Sequence, residues 1–114
     1  MKPRKRYLIF LVNSPMTFSS SEVEEAIKRE LERCFGERCL ALSGIELISY
    51  DERTGIGVLR CYHAYLEYAR AALALVSDIK GTPIALYTLK VTGTKKKAIR
   101  IMHSLNLNKG LIKL

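Results

Sequence analysis

The stretch LALSGIELISYDERTGIGVLRCY, residues 40–62, decides the fold. Apolar and β-branched residues run to Tyr50. Asp51, Glu52, Arg53, Thr54 and Gly55 then break the pattern, and a second apolar run follows to Tyr62. Two strand-like runs separated by a short Asp/Gly-containing segment read as a hairpin. We place its strands at about residues 41–50 and 56–62, with the turn at 51–55.

Working outward, the hairpin is flanked by helical sequence on both sides. Upstream, SSSEVEEAIKRELERCFG carries Val23, Ile27, Leu31, Cys34 and Phe35 at helical spacing. Ser19 or Ser21 can cap it, with Glu22 or Glu24 three residues on as a capping box, and Gly36 can end it. Downstream, AYLEYARAALALVSDIKG is rich in Ala and Leu. Leu66, Ala69, Leu73 and Val76 face a core, and Gly81 ends the segment. Beyond these helices lie two further strands. RYLIFLV (6–12) is apolar at successive positions, as a strand buried on both faces must be. TPIALYTLKV (82–91) is the last strand. A third helix follows from residue 94 to about 106, with Ala98, Ile101, Met102 and Leu105 on one stripe. No element is assigned to the tail, residues 107–114, which is left as an extension of one domain spanning 1–114.

The order βαββαβ plus a helix predicts an α/β sandwich of the α+β class. Its fold is ferredoxin-like, as in RNA-recognition motifs, with a four-stranded antiparallel sheet and strands one and three central. Strand three compares with the signature K/R-G-F/Y-G/A-F-V-x-F/Y over residues 54–61. Gly55 and Gly57 match, but Ile56 and Val58 stand where the signature has aromatics. Base stacking needs π-faces, so the bare sheet is a poor RNA platform. An apolar second face instead predicts a cover, and the third helix is the candidate.

Charge is segregated along the chain. The net charge is +8, yet all 11 acidic residues fall between residues 22 and 78. The first 21 residues carry Lys2, Arg4, Lys5 and Arg6 without an acid, and residues 79–114 carry eight bases without an acid. Two basic ends meeting on one face would make a footprint for a polyanion. The sharpest feature is VTGTKKKAIR, residues 91–100. Lys95, Lys96 and Lys97 sit at a helix N-terminus, where the macrodipole disfavours cations by about 0.3–1 kcal/mol each. Either they are a solvated charge run, or they form with Thr92, Gly93 and Thr94 a clamp for phosphate, whose charge offsets that cost. Arg100 shares their face. Arg60 lies on the strand face of Ile56 and Val58, and is either a buried, partnered arginine or a rim contact to RNA or protein.

Other chemistry is thin. Apolar runs fall far short of the ~20 residues of a membrane span, and no segment has the pattern of a signal peptide. Cys34, Cys39 and Cys61 lack a disulfide or zinc spacing and are expected to be reduced and buried, which fits the cytoplasm. Asp51 and Glu52 read as turn residues. His63 and His103 lack a partner at a telling spacing, so no catalytic or metal residues are assigned.

LISYDERTGIGVLRCY, RAALALVSDIKG and VTGTKKKA, in this order, resemble the archaeal ribonuclease P protein component 2 family, which is related to a eukaryotic ribonuclease P/MRP subunit. The likeness covers residues 4 to 103, with KRYLIFLV as the opening strand. It implies an RNA-binding subunit that supports a catalytic RNA in removing the 5′ leader from precursor tRNA. Such a subunit would be non-catalytic by itself, bind no cofactor and work in a holoenzyme whose RNA uses Mg2+. The implied partners are the ribonuclease P RNA, a second, barrel-shaped ribonuclease P protein and the other ribonuclease P proteins, with a homodimer inside a heterotetramer as one assembly. By motif, the resemblance carries RNA contact to Thr92, Gly93, Thr94, Lys95, Lys96, Lys97, Arg53 and Arg60. Arg4, Lys5 and Arg6 come from charge alone, and Arg100 from its place beside the lysines. The competing reading is a stand-alone ferredoxin-like regulatory domain that binds a small ligand.

Overall fold

A computed structural model describes residues 2–112, the last four of them by backbone alone. The chain folds as β1 (Lys5–Asn13), α1 (Ser20–Phe35), α2 (Glu37–Ser43), β2 (Glu46–Asp51), β3 (Ile56–Tyr62), a single 3-10 turn, α3 (Leu66–Leu75), β4 (Asp78–Ile79), β5 (Thr82–Pro83), β6 (Ala85–Thr92) and α4 (Lys95–Ile112). The main sheet is antiparallel in the order β2-β3-β1-β6, and β4 and β5 form a separate two-stranded ribbon. Strands one and three of the βαββαβ unit are therefore central, as the sequence implied.

Each sheet face carries its own core. Leu8, Phe10, Leu59 and Cys61 pack under α1 and α3 against Ile27, Leu31, Ala69 and Leu73. Tyr7, Ile9, Ile56 and Val58 pack on the opposite face against Ala98 and Met102 of α4, with Ile101 and Leu105 beside them. The apolar second face is thus covered by the last helix.

Capping fixes where α1 begins. The Glu22 N–H donates to Ser19 Oγ at 3.2 Å, and the Ser19 N–H donates back to Glu22 Oε1 at 2.9 Å. This is the reciprocal capping box, and Ser19 rather than Ser21 supplies it. The Ser19 backbone N–H, and then Lys80 Nζ at 2.9 Å, hold the Glu22 carboxyl below the usual range.

The structure differs from the sequence reading in three respects. Residues 41–43, expected to start strand two, belong instead to helix α2 (Glu37–Ser43). Gly36 takes a positive φ of 96° and breaks the chain direction, and Gly44 ends α2 at φ 68° in the left-handed region. The Tyr62 ring lies so close to Gly44 that an added Cβ would come within 2.7 Å of it. The second long helix stops at Leu75 instead of reaching Gly81. Val76 is extended and buried, and Lys80 and Gly81 both have positive φ in the turn between β4 and β5. This turn carries the fully buried Ile79 into the core. The third difference is in the cysteines. All are free, but only Cys61 is buried, and burial pushes its thiol up to about 11. At the chain end, α4 continues through the first part of the residues left as a tail, as far as 112. Residues 113 and 114 lie outside the described residues.

The β2–β3 turn also behaves as a fixed object. Asp51 Oδ1 accepts from the Arg53 N–H at 2.9 Å, and the Gly55 N–H donates to Asp51 O at 2.8 Å. Thr54 is buried, and its hydroxyl donates to Asn106 Oδ1 of α4 at 2.7 Å. Gly57 leaves room for Phe10 and Tyr50 to stack at 6.2 Å; a Cβ there would come within 2.8 Å of both rings.

Met102→Ala should cost about 2–5 kcal/mol, because it leaves a cavity between α4 and the sheet. Leu107→Ala, at a side chain 67% exposed, should change stability by less than ~0.5 kcal/mol. Denaturant melts of both variants test the packing of α4. Ser19→Ala should cost about 0.5–2 kcal/mol at neutral pH. Because the folded-state value of Glu22 is depressed, its contribution is present above the unfolded carboxylate value and lost as pH falls through the folded one. Stability measured from pH 7 to pH 2 should therefore converge for wild type and Glu22→Ala at the acid end.

Candidate nucleic-acid interface

The β1–β6 register places Tyr7 opposite Thr92. The residues just before Tyr7 therefore lie beside those that follow Thr92. Arg4, Lys5, Arg6, Val91, Thr92 and Gly93 line one open cleft of about 520 Å³. Arg6 lies near enough to Gly93 that an added Cβ would meet its Nη1 at 3.6 Å. The β1 backbone is anchored on its other side as well: the His63 N–H donates to Arg4 O at 2.6 Å. Helix α4 opens two residues beyond Gly93, and Lys95, Lys96 and Lys97 make up the start of its first turn.

Thr94 caps α4. Its Oγ1 accepts from the Lys97 N–H at 3.2 Å, and its carbonyl accepts from the Ala98 N–H at 3.1 Å. Thr92 Oγ1 donates to Thr94 O at 3.0 Å and accepts from the Thr94 N–H at 3.3 Å. The cap thus uses the backbone N–H of Lys97 and leaves those of Lys95 and Lys96 without an intrahelical acceptor. Thr92 and Thr94 spend their hydroxyls on the backbone, so they shape the turn, and the charge comes from the lysines. These three side chains and Arg100 are exposed. Among the described residues none of them, nor Arg4, Lys5 or Arg6, has an ion-pair partner.

Two predicted site residues stand apart. Arg60 lies on the face expected, but its Nε and Nη2 donate to Gly44 O at 3.2 and 3.1 Å, and Nη2 pairs with Glu46 at 3.1 Å. Of the two readings left open, the partnered arginine is the one observed; it ties β3 to the end of α2. Arg53 sits in the β2–β3 turn near His103 and Asn106, about two to three turns along α4 from the lysines, and pairs with Asp51 at 3.7 Å. It does not join the cleft. Lys90, by contrast, was passed over. It is exposed, lies opposite Ile9 on β6 and is two residues from Thr92. The acid-free run of residues 79–114 was the signal that could have included it.

The lining decides what the cleft can hold. Small-molecule sites of about 300–1,000 Å³ are mostly apolar with a few placed polar groups. Here Val91 is the one apolar side chain among six lining residues, and three of the others are cations. Unpaired, solvated cations on two elements suit a polyanion. Among the described residues no group of three or more His, Cys, Asp or Glu could hold a metal ion, and no helix is long and apolar enough to cross a membrane.

Comparison with known proteins gives the family and the fold. The chain is 36% identical over 100 residues to ribonuclease P protein component 2 of Pyrococcus horikoshii, covering 88% of this chain and 83% of that protein. It is 34% identical over 106 residues to the protein of the same name from Aeropyrum pernix, covering 90% and 85%. A chain in the cryo-EM structure of yeast ribonuclease MRP shares the fold with a TM-score of 0.68 at 11% identity, covering 99% of this chain and 97% of that one. The sequence model of the Rpp14/Pop5 family matches residues 6–102, from the second residue of β1 to the buried Met102 of α4, and the chain belongs to that family.

Proposed function

We propose that this chain is the RNA-binding protein subunit of a ribonuclease P and supports the catalytic RNA in removing the 5′ leader from precursor tRNA. The observation that carries the proposal is the cleft lined by Arg4, Lys5, Arg6, Thr92 and Gly93, with the Lys95–Lys97 run opening α4 two residues beyond Gly93, in a chain of the Rpp14/Pop5 family. Folding a catalytic RNA brings phosphates together, and a protein that neutralises them lowers that electrostatic cost. The lysines at the α4 N-terminus repel the helix dipole while the site is empty. A phosphate held between these ammoniums and the free backbone N–H groups of Lys95 and Lys96 reverses the sign of the local interaction. Contacts of this kind fix position and affinity and carry no sequence information.

In this reading the chemistry, and the Mg2+ that it uses, belong to the RNA. The chain works in the cytoplasm beside the other ribonuclease P proteins, a barrel-shaped subunit among them. A second copy of the chain within a heterotetramer is one arrangement of that assembly. The exposed Tyr87 and Leu89 of the edge strand β6 are apolar surface free for such protein contacts.

The test is reconstitution. Leader removal by the ribonuclease P RNA with its proteins should fall when this chain is left out, and the clean chain freed of all RNA should cleave nothing. Cleavage by the chain alone, or leader removal indifferent to it, would overturn the proposal. Within the chain, replacing Lys95, Lys96 and Lys97 by Ala should reduce the slope of log affinity against log salt by roughly two to three units. It should leave the melting temperature unchanged or slightly higher, since it removes cations from a helix N-terminus. Arg60→Ala should do the reverse: it should cost about 1–3 kcal/mol of stability and leave the salt slope alone.

A further inference from the structure

The cleft also bears on which form of RNA it takes. Proteins that hold single strands combine a cationic groove with aromatic side chains on which bases stack. This cleft has the first element and no stacking ring in its lining; the exposed His63, whose backbone N–H donates to Arg4 O at 2.6 Å, is outside that lining. None of its six lining residues is aromatic. Tyr7, the next residue of β1, is buried beneath α4, and Tyr62, opposite Lys5, packs its ring against Gly44. Phe35 and Tyr68 are exposed, but their rings pack edge to face at 5.0 Å on the α1/α3 layer, on the other side of the sheet from α4. Tyr87 is exposed too, yet lies five residues before Thr92 along β6, about 16 Å away at the rise of a strand. Amide side chains that could read base edges are likewise missing from the lining. The hydroxyl of Thr92 is committed to Thr94.

What remains is a row of cations on the start of β1 and another on the first turn of α4, with the backbone of Thr92 and Gly93 between them. We infer that the ligand of this cleft is the sugar–phosphate backbone of an RNA duplex, recognised by charge and shape and not through unstacked bases. The inference rests on the RNA-binding role proposed above and specifies its ligand. The physical ground is charge density. A duplex carries the charge of two strands on one axis, about one charge per 1.7 Å in B-form DNA, and each neutralised phosphate then releases more counterion, about 0.9 in salt slope for that duplex against about 0.7 for a single strand. A site built only of cations gains from both, whereas a single strand binds well only where its bases are stacked as well.

The experiment uses the full chain and two labelled probes with equal numbers of phosphates: an RNA hairpin with a 12-base-pair stem, and an unstructured oligouridine. Affinities are measured across a salt series for wild type, for Arg4→Ala/Lys5→Ala/Arg6→Ala and for Lys95→Ala/Lys96→Ala/Lys97→Ala, each checked by a thermal melt. The hairpin should bind at least about tenfold tighter than the single strand, and each triple variant should flatten its salt slope by roughly two to three units. Equal or tighter binding of oligouridine, with the same dependence on both rows, would overturn the duplex assignment and leave the RNA-binding role standing. Binding that ignores both rows would overturn this cleft as the RNA site and the inference with it, and failure to bind either probe would overturn the RNA-binding role itself.

Discussion

The structure depends on one constraint: β1 is apolar on both faces, so the sheet has to be covered twice. Leu8 and Phe10 point to one side, Tyr7 and Ile9 to the other, and all four are buried. Helices α1 and α3 cover the first side within the βαββαβ unit. Nothing in that unit can cover the second, and a face bearing Ile9, Ile56 and Val58 left in water would be an aggregation liability. Helix α4 meets this need, and its path follows from it. It starts where β6 ends and crosses the sheet to the β2–β3 turn, where Asn106 meets the buried Thr54.

The same path builds the basic cleft. Because β6 pairs with β1 antiparallel, the end of β6 lies beside the start of β1. A helix that must leave β6 and turn back over the sheet therefore opens next to Arg4, Lys5 and Arg6. The three lysines of its first turn are held outward because Ala98 and Met102 face the sheet. Packing on one side of α4 thus orients charge on the other. This gives a physical reason to tolerate cations at the positive end of a helix dipole: the burial of α4 is strong enough to carry an unfavourable local term of about 0.3–1 kcal/mol per lysine. Thr94 offsets part of that cost as the cap.

Arg60 and Arg53 show that a place in the resembling motif does not by itself bring a cation to the cleft. Both are basic, and both sit in the motif that resembles the family. Arg60 satisfies a carbonyl at the C-terminal end of α2 and a carboxylate on β2, which is a structural duty that a one-dimensional reading cannot separate from RNA contact. Arg53 lies beside the middle of α4, away from its first turn. The two arginines differ from the lysines in partners and in place, and neither property is local in sequence.

The sequence by itself determined what periodicity and local chemistry encode. The strand pattern of β1, the capping box of Ser19 and Glu22, the hairpin turn at residues 51–55 and the amphipathic stripe of α4 were all legible, because each is set by residues within a few positions of one another. So was the segregation of charge toward the chain ends. Tertiary structure decided the rest. Helix α2 escaped the sequence reading because its seven residues are too few to show a helical period, and its end is set by a glycine wedged against Tyr62, 18 residues away. The early end of α3 follows from bringing Ile79 into the core, a gain that only the packed state supplies. The cleft itself could not be read from either basic segment, since Arg4 and Lys95 are brought to one site by the β1–β6 register and by a helix that folds back to cover the sheet.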